Sequence, residues 1–256
     1  MAPPVSASHP TFDQLYIRRP RVWLGAILVV YLIIASQYAI QTPAWQAPDE
    51  PAHYNNIAII ATERILPVLQ IGDYDQNHLD LLLSTRFAPT LSVTSLRYES
   101  YQPPLYYLLL TPVYWFAEGS LVALRLFNVL MGMATILLLY LCLELVFPQK
   151  TLISVGAAAF AALLPMHVAM SASVNNDGLA ELLLMASMLV LLRWMRDQFY
   201  AVDDAKNGDP PTPRPRRLLL RRRLLLLGVL LGLGLLTKVY AYILLPIVLL
   251  TVIVVL

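Results

Sequence analysis

Cysteine is almost missing from this chain: Cys142 is the only one in 256 residues. That excludes a disulfide framework and any cysteine-based zinc or iron–sulfur centre. Charge is scarce too. Asp, Glu, Lys and Arg make up 13% of the residues, against about a quarter in soluble domains. There is no Gly-Lys-Ser/Thr ending, so the Gly232–Gly234 stretch is not a nucleotide P-loop. No second histidine stands at metal-ligand spacing from His53, and no metal site is expected. What the chain does have is apolar residues, 58% of the total, with a mean hydropathy of +0.64. A water-soluble globule of this length cannot hide that much apolar surface, and disorder needs the opposite bias. The composition therefore specifies an all-α, multi-spanning integral membrane protein with one membrane domain.

A span needs roughly 20 apolar residues. Apolar runs lie at about 22–42, 104–117, 121–147, 151–171, 178–196, 221–237 and 239–256. Arg18, Arg19 and Arg21 precede the first run, and no small-residue cleavage site follows a short core. The run reads as a retained first helix rather than a signal peptide. Lys150 and an Arg-rich stretch from Arg193 to Arg223 carry most of the remaining positive charge. The positive-inside rule puts all of these in the cytoplasm, which works only if one run between Arg21 and Lys150 does not cross. The shortest, 104–117, is interrupted by Pro112 and is read as a re-entrant or juxtamembrane helix on the outer face. The expected layout is a helical bundle of about six spans plus that helix. Residues 1–21 form a cytoplasmic tail and 22–256 the transmembrane domain, with an extracytoplasmic loop at 43–120 and a cytoplasmic linker at 197–220.

Five constellations on the outer side can carry chemistry. Asp49-Glu50 follows the first span between Pro48 and Pro51, where a helix is expected to start. The pair reads as a helix cap with a solvated neighbour, or as a general base at the membrane surface. His53, four residues on from Asp49, reads as a surface residue or a hydrogen-bond partner rather than a metal ligand. Gln102-Pro103-Pro104-Leu105-Tyr106-Tyr107 opens the short apolar helix and reads as an interfacial anchor or as a wall of a lipid groove. Arg125 sits near the outer end of its span, where a guanidinium either snorkels or binds phosphate. Asn176-Asp177 joins two spans as a polar turn with Asp177 capping the helix, or as a second carboxylate site with Asn175 and Asn176 as sugar or phosphate ligands. Lys238 lies between two apolar runs and either snorkels or neutralises an anionic head group.

Taken together, Asp49-Glu50, Gln102-Pro103-Pro104-Leu105-Tyr106-Tyr107, Arg125-Leu126 and the Asn176-Asp177 turn after Leu164-Pro165 resemble the N-terminal half of the GT-C membrane glycosyltransferases. The resemblance is to the protein mannosyltransferase-like branch and its bacterial polyprenyl-phosphate-sugar-dependent relatives, over about residues 20–245. It implies transfer of a sugar from a polyprenyl-phosphate donor to an acceptor hydroxyl of a glycan, lipid or protein on the extracytoplasmic face, usually with inversion. By that resemblance Asp49 and Glu50 are the catalytic pair, with Asp49 as base. His53, Gln102, Tyr106, Arg125, Asn176, Asp177 and Lys238 are the candidate substrate contacts, with Arg125 and Lys238 stabilising the leaving phosphate. It implies no cofactor, a divalent metal not being required, and no nucleic-acid partner. The expected location is the plasma (inner) membrane. Relatives usually have ten or more spans, so an end at Leu256 inside an apolar run is read as a truncation, a split gene product or a fragment. Two other classes compete: a non-catalytic scaffold or lipid-binding fragment, and a transporter, for which Glu144 is the main deep charge.

Overall fold

The computed structural model describes residues 19–206 and 214–255, with side chains described outside 200–217. Most of the tail expected at 1–21, and the Asn207–Pro211 part of the linker, lie outside the described residues. Among the described residues the chain is helical and has no strand. The elements are α1 (Pro20–Gln41), α2 (Glu50–Glu63), α3 (Gln76–Ser84), α4 (Leu105–Phe116), α5 (Leu121–Val146), α6 (Thr151–Leu163), α7 (Pro165–Ser171), α8 (Asp177–Lys206), α9 (Arg214–Leu235), a 3₁₀ turn (Val239–Ile243) and α10 (Leu244–Val255).

Proline and small polar residues set most of the boundaries. Pro20 and Pro51 stand in the first turns of α1 and α2, where the missing N–H costs nothing. Asp75 caps α3 by accepting from the N–H groups of Asn77 and His78, and Ser120 caps α5 through Ala123 N–H. Leu164 is extended ahead of Pro165, as a residue before proline prefers. The apolar run at 151–171 is accordingly broken into α6 and α7 at 62°.

The bundle has fewer clear spans than the expected six. Among the described residues three helices are long and apolar enough to cross a bilayer: α1, α5 and the 177–199 part of α8. The broken α6–α7 pair makes a fourth if it is one span. The shortfall has two physical causes. The first half of α9 is crowded with arginines, which leaves about three turns of apolar helix after Arg223. The last apolar run begins as a 3₁₀ turn, so α10 has only 12 residues. Helix α4, also 12 residues, reaches about 18 Å, short of the roughly 30 Å hydrocarbon core. The polar stretch after 197 is helical on both sides of 207–213, since α8 runs on to Lys206 and α9 resumes at Arg214.

Three apolar clusters hold the helices together. Small side chains let α1 and α6 approach α5 closely: Ala35 and Ala39 of α1, and Ala158 and Ala162 of α6, are fully buried with Val129, Ile136 and Tyr31. Close approach through small residues is how helices associate where lipid supplies no hydrophobic drive. A second cluster joins α2 and α4 to α5 and α8 through Ile57, Tyr107, Leu110, Leu124 and Leu179. The third joins α8 to α9 through Leu191, Trp194 and Leu227. Large apolar side chains such as Val29, Ile33, Phe160 and Leu225 face outward, as a lipid-facing surface requires.

Candidate functional site

The two residues of the acidic pair part company. Glu50 is fully buried. Its Oε1 accepts from Arg125 Nε at 2.8 Å and from Val174 N–H at 3.1 Å. Its Oε2 accepts from Arg125 Nη2 at 2.6 Å and from Trp45 N–H at 3.2 Å. Arg125, 1% exposed, completes its donor set on the carbonyls of Ala39, Thr42 and Pro43. A guanidinium has five N–H donors, and protein acceptors take all five. The geometry therefore leaves Arg125 no donor for a phosphate and Glu50 no free lone-pair direction for an acceptor. Together they clamp the end of α1, the start of α2, α5 and the loop before α8.

Asp49 is exposed. Its backbone is left-handed at φ 58°, a conformation Asp adopts more readily than most residues. It stands at the N-cap of α2 but makes no side-chain cap bond. The carboxylate instead accepts from Tyr98 Oη at 3.0 Å. The simple capping alternative therefore does not describe it.

Glu99 and Tyr98 belong to the candidate site by position, and sequence reasoning passed them over. The signal was present: Glu99 lies three residues before Gln102, whose Nε2 donates to the Glu99 carboxylate at 3.0 Å. Partial burial raises the Glu99 carboxyl above its ordinary range. The Gln102 bond opposes this, the nearby Asp49 carboxylate adds to it, and Lys238 and Asp177 also act on the group. Burial and Asp49 likewise raise the Tyr98 phenol, so it remains a proton donor to Asp49. Lys238 Nζ pairs with Asp177 Oδ1 at 2.6 Å, both side chains being partly exposed, and lies 5.6 Å from the Tyr240 ring centroid. An ammonium has three donors, so it can serve an anion while keeping Asp177. Asp49, Glu99, Gln102, Asp177 and Lys238 thus share one electrostatic neighbourhood around the starts of α2, α4 and α8 and the end of α9.

The other candidates lie beneath that surface. His53 is 2% exposed, shares a 2.9 Å hydrogen bond with Tyr107 Oη and stacks on that ring. Burial, helped by Lys238, lowers its pKa to about 3, so it is neutral. Tyr106 is fully buried and bonded to the Asn128 side chain, which puts it in the packing rather than on a groove wall. Asn176, also fully buried, donates to Thr237 carbonyl at 3.2 Å and so fixes the Lys238 turn beside α8. Asn175 accepts from Asp177 N–H and shapes the start of that helix. Among the described residues no group of three or more His, Cys, Asp or Glu side chains has metal-holding geometry.

Comparison with curated proteins and with solved structures gives no match. Residues 70–256 match the family described as dolichyl-phosphate-mannose-protein mannosyltransferase. The match takes in Glu99, Gln102, Asp177 and Lys238 and begins after Asp49. It covers well over half of a chain whose apolar helices carry an acid-lined face, and the chain therefore belongs to that family, as a multi-pass membrane glycosyltransferase of the GT-C type.

Proposed function

We propose that this protein transfers a sugar from a polyprenyl-phosphate carrier to an acceptor hydroxyl at the extracytoplasmic face of the plasma membrane, with inversion, and that Asp49 is the general base. One observation carries the reading. Asp49 is an exposed carboxylate on a left-handed backbone, held by a Tyr98 hydrogen bond, and it acts on the same Glu99 carboxyl as the Lys238–Asp177 pair. Base and cation thereby act on one common neighbour, Glu99. The Asp49 carboxylate takes the acceptor's proton as that oxygen forms a bond to the anomeric carbon. The bond from that carbon to the phosphate oxygen breaks, and polyprenyl phosphate departs with the electron pair. Lys238 stabilises the negative charge on the departing phosphate, as a preorganised cation does away from bulk water. Membership of the family supports the class of reaction. The placement of Arg193, Arg221, Arg222 and Arg223 at the opposite helix ends supports the face.

The test is Asp49→Asn in the full chain, assayed with a polyprenyl-phosphate sugar. Loss of a positioned base costs roughly 10²–10⁴-fold in rate, with donor binding retained. Undiminished transfer by the variant removes Asp49 from the role.

A further inference from the structure

A cavity lies beside this face and shares Asp177 with it. It has a volume of about 260 Å³ and is lined by Met166, His167, Met170, Ser171, Asp177 and Glu181, between α7 and the start of α8. Asp177 belongs to both places, one carboxylate oxygen being held by Lys238. Two features inside it are unexplained by packing. His167 Nε2 is buried with no hydrogen-bond partner, and an orphaned buried nitrogen calls for a ligand or a role. Glu181 lies one turn beyond Asp177, within the part of α8 long and apolar enough to cross the bilayer, and has no ion-pair partner among the described residues. Its side chain is exposed, and an ionisable residue of such a segment that faces a cavity is a functional-site candidate. The 62° break at Pro165 stands at the edge of the cavity, which Leu164 and Met166 on either side of it help to line.

We propose that this cavity holds the sugar ring of the donor, with Glu181 and His167 reading its hydroxyls. The assignment rests on the glycosyltransferase reading given above and names the residues that recognise the sugar. The lining chemistry selects the ligand class. Two carboxylates disfavour an anion, so the phosphate belongs on the Lys238 side of Asp177. A purely apolar ligand would leave the imidazole and carboxylates desolvated without partners. A neutral polyhydroxylated ring meets both demands, since its hydroxyls donate to Glu181 and Asp177 and one can pair with His167 Nε2. Its C–H face rests on Met166 and Met170. The volume is just below the roughly 300–1,000 Å³ of pockets for drug-sized ligands, a size suited to one monosaccharide. A ring held here would sit against Asp177, the residue that Lys238 pairs with.

The test compares the full chain with Glu181→Gln and His167→Gln in lipid nanodiscs. The probes are polyprenyl-phosphate mannose, polyprenyl-phosphate glucose and sugar-free polyprenyl phosphate. The expected result is that the wild type prefers a glycosylated lipid, and that each variant loses tenfold or more of that affinity while binding the sugar-free lipid unchanged. The unchanged control shows that the variants fold. Equal losses for glycosylated and sugar-free lipid, no loss for either, or a wild type blind to the sugar would each overturn the assignment. Sugar transfer by the wild type, assayed in parallel, keeps the two readings apart. Transfer without sugar-dependent losses sinks the cavity alone, and sugar-dependent binding without transfer sinks the proposed reaction alone.

Discussion

Asp49 and Glu50 are neighbours in sequence with opposite surroundings, and the difference decides what each can do. Glu50 and Arg125 form a buried ion pair whose remaining hydrogen-bonding capacity is filled by backbone groups. Removing one partner of such a pair strands a buried charge, at a cost of about 3–5 kcal/mol. Arg125→Ala and Glu50→Ala are therefore expected to lower thermal stability sharply in detergent unfolding assays. Arg125→Lys is not expected to rescue, because a lysine cannot reproduce the planar five-donor fork. Stability equal to the wild type in Arg125→Ala would refute the clamp. His53 supplies a pH prediction. Its folded-state pKa of about 3 lies well below the ordinary value of about 6.5. As pH falls below about 6.5 the unfolded chain takes up a proton that the folded chain refuses until about pH 3. Stability is thus full above that window and lost on acidification through it, by up to about 1.4 kcal/mol per pH unit. His53→Gln should flatten this part of the stability–pH curve while leaving a polar atom for Tyr107.

At the scale of elements, the contact between α1 and α5 turns on Gly132. A β-carbon there would overlap Tyr31 Oη and come within 2.9 Å of Ser171 Oγ, so α1, α5 and α7 converge on a spot only glycine fits. Gly132→Ala is expected to destabilise the bundle by about 1–3 kcal/mol, the range for overpacking, and Gly132→Val by more. A Gly132→Ala protein that melts with the wild type would mean that the helices separate easily. Pro165 acts on a neighbouring element. With Pro165→Ala, Leu164 is freed for the helical region, and α6 and α7 can run straight. The sugar-lipid preference should then fall while sugar-free lipid binding persists. How legible these elements were differs from one to the next. The spans at α1, α5 and α8 were readable because long apolar runs have one solution in lipid, and the helix start at Pro51 followed from local chemistry. Where α9 and α10 begin was not readable: α9 starts among arginines ahead of its apolar run, and a 3₁₀ turn takes up the first residues of the last run.

For the whole molecule, the crossing pattern makes a prediction of its own. The Asp49 loop, Glu99, the Asn176-Asp177 turn and Lys238 meet at one end of the bundle. The α5–α6 turn at Lys150 and the Arg223–Asp197 ion pair lie at the other ends of those helices. In a Cys142→Ser background, single cysteines at positions 49, 99 and 177 should react with an impermeant maleimide added to intact cells. A cysteine at 150 should react only after permeabilisation. Labelling of 49 and 177 from opposite sides would dismantle the shared site and, with it, the proposed reaction.

Composition by itself determined that this chain lives in a bilayer as helices, because 58% apolar residues with little charge leave no soluble alternative. Residue order along the chain also marked the acidic pair, the Gln102-Pro103-Pro104 turn, the Asn-Asp turn and Lys238 as chemistry on one side. Folding alone decided which of them face outward. Burial of Glu50, His53, Tyr106, Arg125 and Asn176 depends on which carbonyls, N–H groups and rings other helices bring within reach, and no local pattern encodes that. The same convergence brought Tyr98 and Glu99 beside Asp49, and gathered His167, Asp177 and Glu181 around one cavity.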